Sequence, residues 1–435
     1  MPCQKASQNP IGTNKVSEKC KRFISRVLVL LLVLGFLAAG IAYWRREREG
    51  LVTEDYPRDF YRVPKLLPDG PIDKNPMFIV CGDSQPGWRV REKFLKRENW
   101  LNWKMLLFPF YEVYWLGNGI VGGINYLRHK PDYGVRERRM VRYAIYTEAN
   151  QSGVDFILHM GDIPDDGRRP SDWATFLKEN KGDPPLVSDF PFLPVVGNHE
   201  RANDLTYGLP NYEAIFEYPR FYVLDFPDAA IFVIDSNVIL DQYQFIDDDK
   251  QDALFQEWFV SEEGLEHSSW LERELSSRNK PFKIVVMHHP PVSFGKHHTD
   301  WGEPAWGRDL SQKRQRFLKL LHEQGVQAVF CGHEHIYEHS IVRYSAHANQ
   351  DGSAIHVIIS SSGVPLRRAS DAHKIEKFLQ NYRGEGLDVV LVKQEEIHHY
   401  CLVDIASGKF TVQVPEVTGD LTQPVRLADE ILISK

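Results

Sequence analysis

The residues with chemistry in them sit at the ends of apolar runs. Gly197-Asn198-His199-Glu200 follows Phe192-Leu193-Pro194-Val195-Val196, which reads as a buried strand ending in a turn. An asparagine amide oxygen there can ligate a cation while the neighbouring imidazole faces a substrate as proton donor. Other runs end in the same way. Met77–Cys81 leads into Gly82-Asp83-Ser84-Gln85, and Val154–Leu158 leads to Gly161-Asp162-Ile163-Pro164-Asp165. Ile231–Ile234 ends at Asp235. Phe282–Met287 runs into His288-His289-Pro290-Pro291, and Val326–Phe330 into Gly332-His333-Glu334-His335. Asp83, Gln85, Asp162, Asn198, His288, His333 and His335 are all oxygen or imidazole donors. That is too many for one tetrahedral ion and suits two cations sharing a bridge. Asp162 is the best bridge, since a carboxylate offers two oxygens. Two cations a few ångströms apart can polarise a phosphoryl group and bridge a hydroxide for in-line attack.

Distant residues meet only if the elements beneath them are ordered. Helical patterns over Arg136–Asn150, Ser268–Arg278 and Ser311–Gln324 alternate with the strands, which argues for a layered α/β sheet. In such sheets, binding residues gather beyond the carboxyl ends of the strands. After residue 339 the pattern becomes strand-dominated, with Ala354–Ser360, Leu387–Lys393, His398–Val403 and Lys409–Val414. A second sheet packed on the first is the natural reading. Residues 416–435 read as a polar tail.

The chain has 435 residues and a net charge of −7, enough for one large domain or two ordinary ones. Residues 1–22 are polar and basic, and residues 23–44 are apolar but for Ser25 and Arg26 near the start. From Val27 to Trp44 there is no charge, about the length needed to span a bilayer core. Ala38, Ala39, Gly40 and Ala42 offer a signal-peptidase site, but the long run followed at once by Arg45-Arg46 reads more as an uncleaved transmembrane anchor. The basic excess before it places the N-terminus in the cytoplasm and the rest outside. Residues 45–74, charged and Pro-containing, read as a stalk. The remainder is acidic, a poor match for nucleic acid. Cys81, Cys331 and Cys401 come after the span in no zinc-type spacing; Cys81 and Cys331, at strand ends, read as buried thiols, with a disulfide between them not indicated.

Residues 86–134 interrupt the α/β alternation. Arg89, Arg91, Lys93, Lys96 and Arg97 precede an aromatic stretch, 100–127, that includes Trp100, Trp103, Tyr111 and Trp115. Pro109 and a glycine-rich patch argue against one straight helix. Aromatics flanked by basic residues fit an interfacial membrane segment, and equally an inserted lid.

The ordered motifs resemble those of the calcineurin-like metallophosphoesterase superfamily, in its purple-acid-phosphatase-like branch. That pattern runs Asp-x-His, Gly-Asp-x-x-Asp, Gly-Asn-His-Glu/Asp, a lone His, then Gly-His-x-His, and the similarity runs from residue 77 to about 345. The resemblance implies a four-layer sandwich over residues 75–415: two packed mixed β-sheets flanked by helices. It implies that Asp83, Gln85, Asp162 and His335 hold one metal, and Asp162, Asn198, His288 and His333 the other. His288 is taken as the ligand rather than His289. By the same resemblance His199 is the proton donor, Asp165 is the acid paired with it, and His298 is a substrate-side imidazole. The implied reaction is attack on a phosphate ester by metal-bound hydroxide, without a phosphoenzyme. Gln85 stands where most members have His; an amide oxygen favours Mn²⁺ or Mg²⁺ over Zn²⁺, with Fe as a further option. No Tyr follows Asp162 to bind ferric iron, so a coloured iron enzyme is not expected. The substrate is a mono- or diester, lipid-linked if the insert meets the bilayer. The alternative is a non-catalytic membrane receptor or scaffold that retains the fold.

Overall fold

The computed structural model describes residues 48–65, 67, 72–85, 134–201, 206–240, 248–261, 268–301, 310–344, 354–362, 366–406, 408–419 and 425–434, with 23 and 25–27. It divides into two compact units, Met1–Glu49 and Gly50–Lys435, and the strands among the described residues all belong to the second. No helix among the described residues is long and apolar enough to cross a membrane. Most of the segment expected to do so, and the whole of 86–133, lie outside them.

The strands are β1 (Met77–Cys81), β2 (Phe156–His159), β3 (Phe192–Pro194), β4 (Tyr222–Asp225), β5 (Ala229–Val233), β6 (Phe282–Val286) and β7 (Ala328–Cys331). Then come β8 (Tyr337–Tyr344), β9 (Ile355–Ser360), β10 (Leu387–Glu395), β11 (Cys401–Ala406), β12 (Lys409–Pro415) and β13 (Leu427–Ser434). One sheet has the order β13-β12-β11-β1-β2-β3, the other β10-β8-β9-β7-β6-β5-β4. In the first, β1, β2 and β3 run parallel while β11 to β13 are antiparallel. In the second, β5, β6, β7 and β9 are parallel. The parallel strands are the continuous apolar runs, as expected for strands buried on both faces. The sheets meet through aromatic rings: Phe410 of β12 lies 5.8 Å from Phe282 and 6.4 Å from Phe330, centroid to centroid.

Helices form where the sequence predicts them, over Val135–Ser152, Trp270–Ser276 and Ser311–Glu323. The second starts on a capping box, Ser269 with Glu272, which satisfies two main-chain donors the helix itself leaves open. A helix at Ala372–Gly384, capped by Asp371, interrupts the stretch read as strand-dominated.

Two boundaries differ from expectation. From Gly50 onward the stretch read as a stalk is part of the domain: Val52 and Val63 are buried. The two apolar anchors are too widely spaced among charges to show a period. The tail read as polar ends in a strand, β13, paired antiparallel with β12. Asp429 and Glu430 disguise it, but Ala428, Ile431 and Ile433 turn inward. Cys81, Cys331 and Cys401 are free, buried thiols.

Asn211 ties the entering stretch of chain to the domain. Its side chain accepts from Val52 N (2.7 Å) and donates to the carbonyls of Gly50 (2.9 Å) and Gly167 (3.0 Å). It is fully buried, so each bond removed leaves a group without water to replace it. Asn211→Ala is expected to cost about 1–3 kcal/mol. Urea unfolding checks this: a midpoint equal to wild type would return residues 50–65 to the status of a loose stalk.

Candidate metal centre and catalytic site

Asp83, Asp162, Asn198, His288, His333 and His335 all lie just past the carboxyl ends of parallel strands: β1, β2, β3, β6 and β7. The turns that aim them are backbone-strained. Asp83, Asp162, His333 and His335 have φ of +57°, +56°, +75° and +53°. Among the described residues Glu217 is the one other non-glycine with positive φ. Such conformations cost of order 1–3 kcal/mol each and persist where surroundings over-determine them. Glycines make the close packing possible. A Cβ on Gly197 would sit 2.3 Å from Asp162 Oδ1, and one on Gly332 would sit 2.7 Å from Asp83 Oδ2.

The side chains form two lobes that share Asp162. In one, His288 Nε2 lies 3.1 Å from Asn198 Oδ1, 3.1 Å from His333 Nδ1 and 3.3 Å from Asp162 Oδ1. In the other, His335 Nε2 lies 3.6 Å from Asp83 Oδ1. With the Gln85 amide nitrogen donating to the Asp162 carbonyl (2.8 Å) and the Asp83 carbonyl (3.0 Å), its oxygen faces His335 Nε2 at 3.1 Å. Ligand-capable atoms of Asp83, Asp162 and His288 lie within 4.8 Å of one another. His289 Nδ1 lies 2.8 Å from the Ser236 hydroxyl, and a ligand-capable atom of His289 also lies within 4.8 Å of ones on His288 and His333.

The tautomers are set from behind. His288 Nδ1 lies 2.7 Å from the Met160 carbonyl and so carries the proton, leaving the Nε2 lone pair toward Asn198, Asp162 and His333. His333 Nε2 meets Asp300 Oδ2 at 2.9 Å, which turns the Nδ1 lone pair inward. With these tautomers acceptor faces acceptor in the lobe of His288, Asn198 and His333, an arrangement that repels unless a cation or a further proton lies between. In the absence of a cation the carboxylates draw a second proton onto His288 instead. Although burial disfavours its charge, Asp162 and Asp83 push His288 up to about 10. This donor set fits a pair of divalent cations.

His199 lies at the edge, with 32% of its side chain open to solvent. Its Nδ1 meets the Asp165 main-chain carbonyl at 2.6 Å, so the pairing expected of the Asp165 carboxylate runs through the backbone. Nε2 lies 3.7 Å from Asp162 Oδ2. Desolvation opposes its charge, but Asp162 and Asp165 outweigh that and raise it to about 9. His298 lies outside the cluster: Nδ1 meets the Gly295 carbonyl at 3.0 Å and the ring stacks on Phe378. Its neighbour His297 packs on His333, with centroids 4.2 Å apart.

Sequence reasoning gave no role to Glu200, Asp300 or Ser361. Glu200, fully buried, accepts from Gly197 N (2.7 Å), Asp162 N (2.9 Å) and Ile163 N (2.6 Å), clamping two ligand turns together. Burial and the Asp162 charge push it up to about 7 against the pull of those donors. Ser361, just past β9, donates to Asp83. Glu200 stands inside the motif and was open to notice; Asp300 and Ser361 lie in loops without a signal.

Comparison with known proteins agrees with this geometry. Residues 137–337 match the family described as calcineurin-like phosphoesterase. The match takes in Asp162, Asn198, His288 and the Gly-His-x-His turn, while Asp83 and Gln85 precede it. The chain is 27% identical over 309 residues to acid phosphatase type 7 of Mus musculus, covering 65% of this chain and 60% of that one. It is 29% identical over 185 residues to the probable glycerophosphodiester phosphodiesterase GpdQ of Arcobacter nitrofigilis, covering 42% and 56%. The chain thus spans little more than half the length of these relatives. In fold it resembles purple acid phosphatase PPD1 from yellow lupin (Lupinus luteus), with TM-score 0.53, 13% identity, and 83% and 54% of the two chains covered. The stretch that carries most of the candidate ligands thus matches the calcineurin-like phosphoesterase family, and the fold resembles that of a purple acid phosphatase.

Glu200→Ala would orphan the three main-chain donors that hold Asn198 to Asp162. The expected outcome is a loss of about 3 kcal/mol or more in unfolding free energy. Loss of bound metal by elemental analysis should accompany it. A variant as stable and as metal-rich as wild type would show that the turns hold without the clamp.

Proposed function

We infer that the chain is a membrane-anchored, metal-dependent hydrolase of phosphate esters. The observation carrying this reading is the pair of lobes joined at Asp162. Asp83, Gln85, Asp162 and His335 would hold one ion, and Asp162, Asn198, His288 and His333 the other. When bound, two such ions supply Lewis acidity toward the phosphoryl oxygens and an activated water. The residues do the rest. Asp162 fixes the spacing of the two lobes. Asn198 and His199, adjacent in one turn, put a ligand oxygen and a proton donor beside the same reacting group. His199, held protonated by Asp162 and Asp165, is placed to protonate the departing alkoxide.

Gln85 supports Mn²⁺ in the first lobe, since an amide oxygen is a harder donor than imidazole. Two relatives are named for a phosphatase and a phosphodiesterase, which supports both mono- and diesters as substrate classes. The uncharged run from Val27 to Trp44 supports an anchor with the catalytic domain on the extracytoplasmic side. The aromatic and basic residues of 86–134 support a substrate presented at a bilayer.

Purified protein assayed with an aryl phosphate, with and without added Mn²⁺, tests the central reading alongside metal stoichiometry. Asp162→Asn is expected to abolish turnover and lower metal content. His199→Ala should keep its metals and lose roughly 10²–10⁴-fold in rate. No activity in a protein holding two equivalents of metal would favour a non-catalytic receptor.

The pH profile gives a separate check. An acid must carry its proton, so the rate falls as pH rises through its pKa. His199 stands at about 9 from the carboxylates alone. Cations bound nearby lower that value, so the descending limb is expected at or below about 9 and should vanish in His199→Ala. A limb unchanged in that variant would assign the proton to another group.

A further inference from the structure

A cavity of about 50 Å³ lies against the Cys81–Ser84 turn and takes no part in the chemistry above. At roughly 10–15 Å³ per water-sized position it has room for about four atoms. Its polar walls come from Arg138 and Arg142, one turn apart on the helix Val135–Ser152, from Glu179 and Asn180, from His159 of β2, and from Ser84. Two buried guanidinium groups line it with two carboxylates: the partly buried Glu179, and Asp83, whose oxygens meet His333 N and Ser361.

Glu179 serves chiefly one of the guanidinium groups. Arg138 grips Glu179 with both Nε (3.1 Å) and Nη2 (2.6 Å). Arg142 reaches the same carboxylate at only 3.5 Å, and the Asp183 carbonyl at 3.5 Å. Its Nε is buried and finds no partner among the described residues. His159 Nδ1 is in the same condition, while its Nε2 lies 2.9 Å from the Ser84 hydroxyl. With Ser84 donating in that bond, the one N–H of the His159 imidazole is at Nδ1, where no described residue accepts it. A buried, half-paired guanidinium is costly by several kcal/mol unless an anion completes it. Burial accordingly holds Arg142 below its ordinary value.

We propose that this cavity binds a compact oxyanion, inorganic phosphate or a small carboxylate, on Arg142 Nε and His159 Nδ1. The guanidinium supplies charge and direction, the imidazole a second donor, and the Asn180 amide a neutral wall. Ser84 comes directly after Asp83, so the occupant rests against the turn that carries an ion ligand. This site is separate from the one that would hold the ester's phosphate, and it stands whether or not the catalytic reading does.

Calorimetric titration of the full-length, metal-loaded protein with sodium phosphate, and separately with sodium acetate, tests it. Two classes of phosphate site are expected, one lost in Arg142→Met and the other in Asp162→Asn. Arg142→Lys keeps the charge but lacks Nε, and is expected to weaken the first class at least about tenfold. Acetate binding that depends on Arg142, without phosphate binding there, identifies the occupant as a carboxylate. A single class removed by Arg142→Met and kept in Asp162→Asn supports this site and counts against the catalytic one. Equal stoichiometry and affinity in wild type and Arg142→Met for both anions overturns the proposal. If Arg142→Met does not fold, unchanged affinity for both anions in Arg142→Lys and His159→Gln overturns it instead.

Discussion

Two buried carboxylates whose basic partners among the described residues are imidazoles govern this structure. Asp83 and Asp162 are each at most 2% exposed, and among the described residues no lysine or arginine pairs with either. Their charges face imidazoles instead. Burying an uncompensated carboxylate costs several kcal/mol, and two close together cost more. Burial and Asp162 push Asp83 up to about 7, while neighbouring imidazoles hold Asp162 well below the usual carboxylate range. A fold that keeps such a pair is built around positive charge to come. The strained turns carry the same message: four candidate ligands occupy a region that most residues avoid, and the loops are braced so that they stay there.

The bracing is distributed between the two sheets, and this explains the architecture. Asp83, Asp162 and Asn198 come from the sheet of β1 to β3, and His288, His333 and His335 from that of β6 and β7. Neither sheet holds a complete lobe. Main-chain donors cross between them: His333 N donates to Asp83 at 3.0 Å. His288 Nδ1 donates across in the same way, to the carbonyl of Met160. Rings such as Phe410, wedged between Phe282 and Phe330, fix the separation of the layers. Sheet packing is therefore part of the site's geometry.

The same division separates what was legible in the sequence from what was not. β1 is present over the residues expected, and the buried strands near 156, 229 and 328 within a residue or two, because a continuous apolar run between turn residues has few alternatives. The donors were legible because each ends such a run. Contacts made by single polar residues in irregular loops were not. Asp300 sets the His333 tautomer from a loop with no periodicity, and Ser361 reaches Asp83 from far along the chain. The Asp165 pairing was legible as a neighbourhood, but whether carboxylate or carbonyl meets the imidazole depends on a turn's backbone angles. The β13 strand hid because its exposed positions are acidic, and an alternating pattern half made of charges resembles a tail.

The residue that departs from the family pattern is accounted for by this bracing. An imidazole at position 85 would be a better ligand, but it has one N–H to spare once it binds an ion. The Gln85 amide has two, and both are used: one on the Asp162 carbonyl and one on the Asp83 carbonyl. Gln85 N also donates to the Asp162 carbonyl, at 3.0 Å. Gln85 thus ties together the turns that present both carboxylates, and offers its oxygen to the lobe of His335. A weaker ligand is exchanged for a stronger brace. At a centre whose carboxylates sit in strained turns, holding those turns in register does as much for a bound cation as one more strong donor.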